Sequence, residues 1–315
     1  MAIIECVPNI SEGRDKARID AIGSVVNQTK GAKLVSIESD ADHNRSVITF
    51  AGDEIGVYDA ALAIFRKATG LIDLNKHQGE HPRMGAVDVC PFIPVKDVTM
   101  EECVKLAKRL GRRVGEELGV PVYLYEAAAT RKERKNLADI RKGQFEKLRE
   151  LIGTDESRVP DFGPNKIHPT AGASAIGARF FLIAFNVNLA THDVDVAKSI
   201  AQTIREKDGG MPGVKALGFM LEHEGVAQVS MNLVDYRKTS PAQAYTRIEE
   251  LAAAKGVKIK ESEIVGVVPQ ESMTVCARQR KIEVSNDLDV VNREVAESLK
   301  VKGYTPKMVL ENHLS

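Results

Sequence analysis

Residues 77–95 read HQGEHPRMGAVDVCPFIPV and gather two histidines, a glutamate, an arginine and an aspartate at the start of an apolar run. Imidazole moves protons near neutral pH, and guanidinium holds anions through a planar fork of donors. His77, Glu80 and His81 also have the H-x-x-E-H spacing of a zinc hydrolase, in which both histidines share a helical face and the glutamate is the base. Gly79 inside the motif and Pro82 directly after it oppose a helix there, because glycine weakens the turn and proline disfavours helical geometry at His81. No downstream glutamate stands at zinc-ligand spacing, so no metal is expected. The residues suit a rigid loop feeding a buried strand, with His81 open between a proton-transfer role and a structural one, and Arg83 between an anion site and an ion pair. Asp88, between two valines, faces either solvent or a site.

A second polar cluster, ESDADHNR at 38–45, joins two apolar runs and is either a site loop or a plain hairpin connection. Pro8, Asn9, Glu12 and Arg14 occupy the turn after the first apolar run. The stretch 130–149 is dense in lysine and arginine, with Leu137, Ile140, Phe145 and Leu148 at helical spacing, and suits a solvated helical face. The segment 153–177 is rich in Gly, Pro, Ser and Thr but contains neither G-x-x-x-x-G-K-[ST] nor G-x-G-x-x-G after a strand, which argues against a nucleotide site.

The elements that must position these groups follow from periodicity. Strands are expected at 2–7, 34–37, 46–50, 86–95 and 122–125, with helices starting near Arg14, Asp53 and Thr99. After residue 177 the expected order is a strand at 179–189, a helix at 194–205, paired strands at 215–221 and 226–233 joined by residues 222–225, a helix at 241–254 and a strand at 264–268. Helices follow from Gln270 and over 287–299. Both halves share the order strand, helix, two strands, helix, strand. That order predicts an α/β (α+β) protein of two ferredoxin-like subdomains with mixed sheets, 1–177 (with a linker at 153–177) and 178–315.

At 315 residues and 43% hydrophobic content the chain can fill about two cores. Lys plus Arg and Asp plus Glu each number 44, so no net field draws the chain to nucleic acid or to an anionic membrane. No apolar run approaches the roughly 20 residues of a membrane span. The start, MAIIECVPN, lacks the pattern of a secretory signal, and Cys6, Cys90, Cys103 and Cys276 have no C-x-x-C spacing, so they suit buried thiols in a cytoplasmic protein.

ECVPNISEG at 5–13, NRSV at 44–47, GEHPRMGAVDVCPFIPV at 79–95, PVYLY at 121–125, DFGP at 161–164, GAR at 177–179, AFNVNL at 184–189, QVSMNL at 228–233 and VGVVP at 265–269 resemble the formiminotransferase family. The resemblance runs in order to about residue 275 and is most specific around His81. It implies transfer of the formimino group of N-formimino-L-glutamate to tetrahydrofolate, a co-substrate, in a cleft where two α/β subdomains face each other. It places the catalytic histidine on His81 and an assisting acid on Glu38, where a relative has aspartate. Folate contacts map to about 163–172, including Gly163, Pro164 and Gly172. Arg45, Arg83 and Arg179 are candidates for holding substrate carboxylates, and Asn44 for a substrate or folate contact. A homodimer is implied, and because the chain ends before any cyclodeaminase domain, only the transfer is expected. The alternatives are a folate-dependent glutamate formyltransferase and the zinc hydrolase.

Overall fold

A computed structural model describes residues 2–79, 81–221 and 224–314. The chain divides into two compact units, Met1–Arg179 and Phe180–Ser315.

The first unit contains strands β1 (Ile3–Cys6), β2 (Asn9–Ile10), β3 (Ala32–Asp40), β4 (Arg45–Gly52), β5 (Val87–Lys96), β6 (Val122–Glu126) and β7 (Ser174–Ala178). Its longer helices are α1 (Lys16–Asn27), α2 (Glu54–Leu71) and α3 (Met100–Leu118), and two short ones follow, α4 (Leu137–Ile140) and α5 (Gln144–Leu151). β1 and β2 lie end to end between β4 and β5, and β3 pairs with the outer side of β4. All of these pairings are antiparallel, whereas β7 pairs in parallel with both β5 and β6, so the seven-stranded sheet is mixed.

Alternation gives this sheet two different faces. On one, Ile4, Cys6, Ile48, Phe50, Cys90, Phe92, Leu124 and Ile176 pack against Ile22, Val57, Phe65, Leu106 and Leu110 from α1, α2 and α3. On the other, Val89, Tyr123, Tyr125 and Ala175 meet Ile140 and Leu148. The second face is only partly covered, and the polar residues of interest stand on it. The helix starts follow local chemistry: Asp53 caps α2 by accepting from Gly56 N, and Thr99 forms a reciprocal capping box with Glu102 at α3. Loss of such a cap costs about 1 kcal/mol.

The second unit runs β8 (Ile183–Leu189), α6 (Val194–Ile204), β9 (Val214–Leu221), β10 (Val226–Leu233), α7 (Pro241–Ala253) and β11 (Ile259–Val265), followed by α8 (Gln270–Gln279) and α9 (Leu288–Ser298). Its four strands are ordered β11-β8-β10-β9 and every pairing is antiparallel. That is the ferredoxin-like arrangement, while the first unit extends the same order by the parallel pair β7 and β6. The expected hairpin is present, with Leu221 opposite Val226; Glu222 and His223 of its connection lie outside the described residues.

Three elements differ from expectation. β7 is a wholly buried strand of small residues, SAIGA, in a stretch whose composition suggested a linker. Its narrowness has a cause: a Cβ on Gly177 would come within 2.5 Å of the Tyr125 ring and backbone on the neighbouring strand. β8 begins at Ile183 rather than 179, and the last strand is 259–265 rather than 264–268. All four cysteines are buried free thiols. Among the described residues no helix is long and apolar enough to cross a membrane.

Candidate active site

The β3–β4 hairpin is the frame of the site. Its turn ends at Asn44, which adopts the left-handed region at φ 49°, a conformation asparagine tolerates better than most side chains. The Asn44 carboxamide oxygen accepts from Gly13 N at 2.9 Å, its amide donates to the Gln78 carbonyl at 2.9 Å, and its own carbonyl accepts from His77 Nε2 at 2.8 Å. One buried residue thus ties together the loop after β2, the hairpin and the loop carrying His81. Gly79 permits that contact: any Cβ there would lie 2.3 Å from the His43 carbonyl oxygen.

His77 acts as a strut. Its Nδ1 accepts from Arg83 Nε at 3.1 Å while Nε2 donates to Asn44, so both ring nitrogens are engaged in the neutral tautomer. Burial lowers its pKa, favouring that form. None of the described residues from 72 to 86 is helical, so His77 and His81 do not share a helical face. Glu80, the third member of the zinc-like spacing, lies outside the described residues.

His81 lines a pocket with Ile10, Ser11, His43, Asn44, Arg45, His77, Arg83 and Asp88. It is half-buried, and its pKa is pushed down to about 4, first by burial and then by the charges of Arg45, Arg141 and His43. It is therefore a neutral imidazole at physiological pH. The His43 ring meets it edge-on, with centroids 6.2 Å apart. His43 is itself oriented, donating from Nδ1 to Asp40 Oδ2 at 2.7 Å while Asp40 Oδ1 accepts from the His43 backbone N–H at 2.9 Å. These two bonds hold the Asp40 carboxyl below its usual range.

Two arginines flank this group. Arg45, first residue of β4, donates through Nε to Asn9 Oδ1 at 2.9 Å, a neutral acceptor, while the carboxylates of Asp88, Asp40 and Glu38 favour its charge without bonding it. Arg141, just after α4, donates from Nη2 to Asp88 Oδ2, and the Met84 backbone N–H reaches Asp88 Oδ1 at 2.7 Å. Asp88 is buried because it occupies a bulge: Asn9 pairs with Val89 while Ile10 pairs with Val87, leaving one extra residue in β5. A bulge re-aims a side chain, and here it turns a strand carboxylate onto an arginine 53 positions away.

Arg83 is committed differently. Its guanidinium grips the Glu146 carboxylate through two bonds, at 2.8 and 2.7 Å, and also donates to Gln144 Oε1 at 3.2 Å. The Phe145 N–H bonds the Arg83 carbonyl at 2.9 Å, so the start of α5 clamps the loop that carries His81. The basic stretch 130–149 is thus not simply a solvated face. Arg134 is buried in an ion pair with Asp161, and Arg141 reaches the pocket region.

The remaining expected residues stand apart from this pocket. Glu38 is exposed on β3 opposite Val47, on the sheet face shared by Asp40 and Arg45, and its charge reaches Arg45. Gly163 and Pro164 are exposed beyond β6, and Gly163 takes φ 84° against the end of α3. Gly172 is buried at φ 70° beside the Met84 carbonyl, and Arg179 follows β7 with its backbone N–H on the Phe92 carbonyl at 3.2 Å. The sequence reading assigned no role to Arg141 or His43. His43 lay in a cluster already noted, whereas nothing local connects Arg141 to Asp88.

The pocket residues come from the segments whose loops resembled a known family. The formiminotransferase domain, N-terminal subdomain, matches residues 3–179, and the formiminotransferase domain matches residues 184–302. The chain belongs to the formiminotransferase family. Within that family it is 45% identical over 314 residues to a glutamate formimidoyltransferase of Streptococcus pyogenes serotype M1, covering 99% of this chain and 98% of the relative. It is 50% identical over 280 residues to a glutamate formimidoyltransferase of Thermoplasma acidophilum, covering 88% and 92%. A formimidoyltransferase-cyclodeaminase of Gallus gallus is 45% identical over 277 residues, 86% of this chain but 51% of the relative. The chain spans about half the length of that last relative and nearly all of the first two.

Proposed function

We propose that the chain transfers the formimino group of N-formimino-L-glutamate to tetrahydrofolate, giving 5-formiminotetrahydrofolate and L-glutamate, with His81 moving the proton. The observation that carries the mechanism is a neutral, half-buried imidazole beside two guanidiniums in one pocket. The N5 lone pair of the folate attacks the amidine carbon. Neutral His81 accepts the N5 proton as the new C–N bond forms, then returns it to the glutamate nitrogen as the old C–N bond breaks. One proton is taken and one returned, and the cationic charge of the amidine passes to the product.

The donor supplies two carboxylates and a cationic amidine. Arg45 holds a carboxylate, and Glu38, whose carboxylate is exposed on the same sheet face, holds the amidine and steadies the tetrahedral intermediate. Arg83 and Asn44 keep the His81 loop in place through the bonds described above. Gly163, Pro164 and Gly172 receive the folate and Arg179 its glutamyl tail. The reaction needs no metal, and a cytoplasmic homodimer is the expected form.

A paired donor assay tests this reading. With tetrahydrofolate as acceptor, N-formimino-L-glutamate should give rapid transfer and N-formyl-L-glutamate little. Faster transfer from the formyl donor would replace the reading with a formyltransferase, and no transfer from either would replace it with a folate-binding protein.

A further inference from the structure

Arg141 has donors that the fold leaves unused. Its Nη2 is paired with Asp88, yet its Nε–H is buried and has no hydrogen-bond partner among the described residues. An arginine that served only to neutralise Asp88 would be expected to present its fork, and an unmet buried donor is costly. Arg45, the other guanidinium of the region, has only the Asn9 amide oxygen, and among the described residues no carboxylate pairs with it. Burial first, and then the charge of Arg141, lower the pKa of Arg45, against the opposing charges of Asp88, Asp40 and Glu38. Asp88 supplies one negative charge, Asp40 is turned onto His43, and Glu38 is exposed to solvent. Two neighbouring like charges are relieved by an anion.

We propose that Arg141 is a substrate-binding residue that, with Arg45, holds one carboxylate of the glutamyl donor beside His81, and that Asp88 in its bulge is the positioning residue for Arg141. This rests on the donor reading above. Specificity for a dicarboxylic donor follows, because a neutral amide in place of that carboxylate leaves Arg45 without a carboxylate partner. The carboxylate also sets the distance between the amidine and His81.

The test titrates L-glutamate, L-glutamine and the α-amide of glutamate into wild type, Arg141→Gln and Arg141→Lys by calorimetry, alongside steady-state kinetics. Arg141→Gln should weaken L-glutamate binding and raise the KM for formiminoglutamate by about 10- to 100-fold, with the KM for tetrahydrofolate unchanged. One of the two amides, the one lacking the carboxylate that Arg141 meets, should lose nothing further in the variant. Arg141→Lys keeps the charge and the pairing with Asp88 but lacks the fork, so it should be intermediate, and it carries the test if the glutamine variant does not fold. A folded variant with wild-type glutamate affinity, or one in which both amides weaken as much as glutamate, would overturn the proposal. The two readings fail separately. Wild type that binds glutamate through Arg141 but transfers no formimino group removes the reaction and keeps the site, whereas normal transfer with Arg141-independent binding removes the site alone.

Discussion

A histidine held near pH 4 is always ready to accept a proton, but as a base it is weak, and general bases work best when their pKa lies near the working pH. The depression of His81 comes from burial and from Arg45 and Arg141. Burial is permanent, but the arginine contribution shrinks once a substrate carboxylate sits on the guanidiniums, and then His81 holds a proton more readily. In the proposed mechanism the donor thereby tunes its own base. The sign of the pH dependence follows. As the proposed base, His81 loses that function in the free enzyme only as pH falls through about 4, which should set the acid limb of kcat/KM. In the complex its pKa is higher, so the acid limb of kcat should lie at higher pH than that of kcat/KM. Profiles of both parameters across the acid range check this, and a kcat limb at or below the kcat/KM limb would contradict it.

At the scale of elements, the site is a hairpin and two loops joined by Asn44 rather than a single motif. Asn44→Ala removes the bonds to Gly13 and Gln78 and places alanine in a left-handed conformation. Two net hydrogen bonds and that backbone penalty together predict a loss of about 2–4 kcal/mol of stability in urea unfolding. The same change should lower kcat, because the His77–Gly79 loop loses its anchor, whereas stability and rate both near wild type would show the knot to be dispensable. The hairpin was legible in the sequence because two apolar runs flank a polar connection. The knot was not, since its partners are 31 to 34 positions away. β7 was hidden for a similar reason. A strand of small side chains gives no hydrophobic period, and only the Tyr125 ring across from Gly177 explains why the residues are small.

For the whole molecule, the repeated order of strands and helices was visible in both halves because the longer helices show their own 3.6-residue spacing. What could not be read was how the first unit enlarges that plan. β6 and β7 extend its sheet in parallel, and α4 and α5 fold back to bring Arg141 to Asp88 on β5 and Glu146 to Arg83 in the loop carrying His81. Charge density along 130–149 suggested solvent, but Asp88, 53 positions from Arg141, and Asp161, 27 positions from Arg134, decide where these arginines point. The central claim is that this assembly exists to place one neutral imidazole, and His81→Ala tests it directly through single-turnover transfer measured beside tetrahydrofolate binding. Loss of a positioned acid–base group predicts a rate lower by roughly 100- to 10,000-fold, with folate affinity close to wild type. Unchanged turnover in the folded variant would take His81 out of the chemistry and contradict the account.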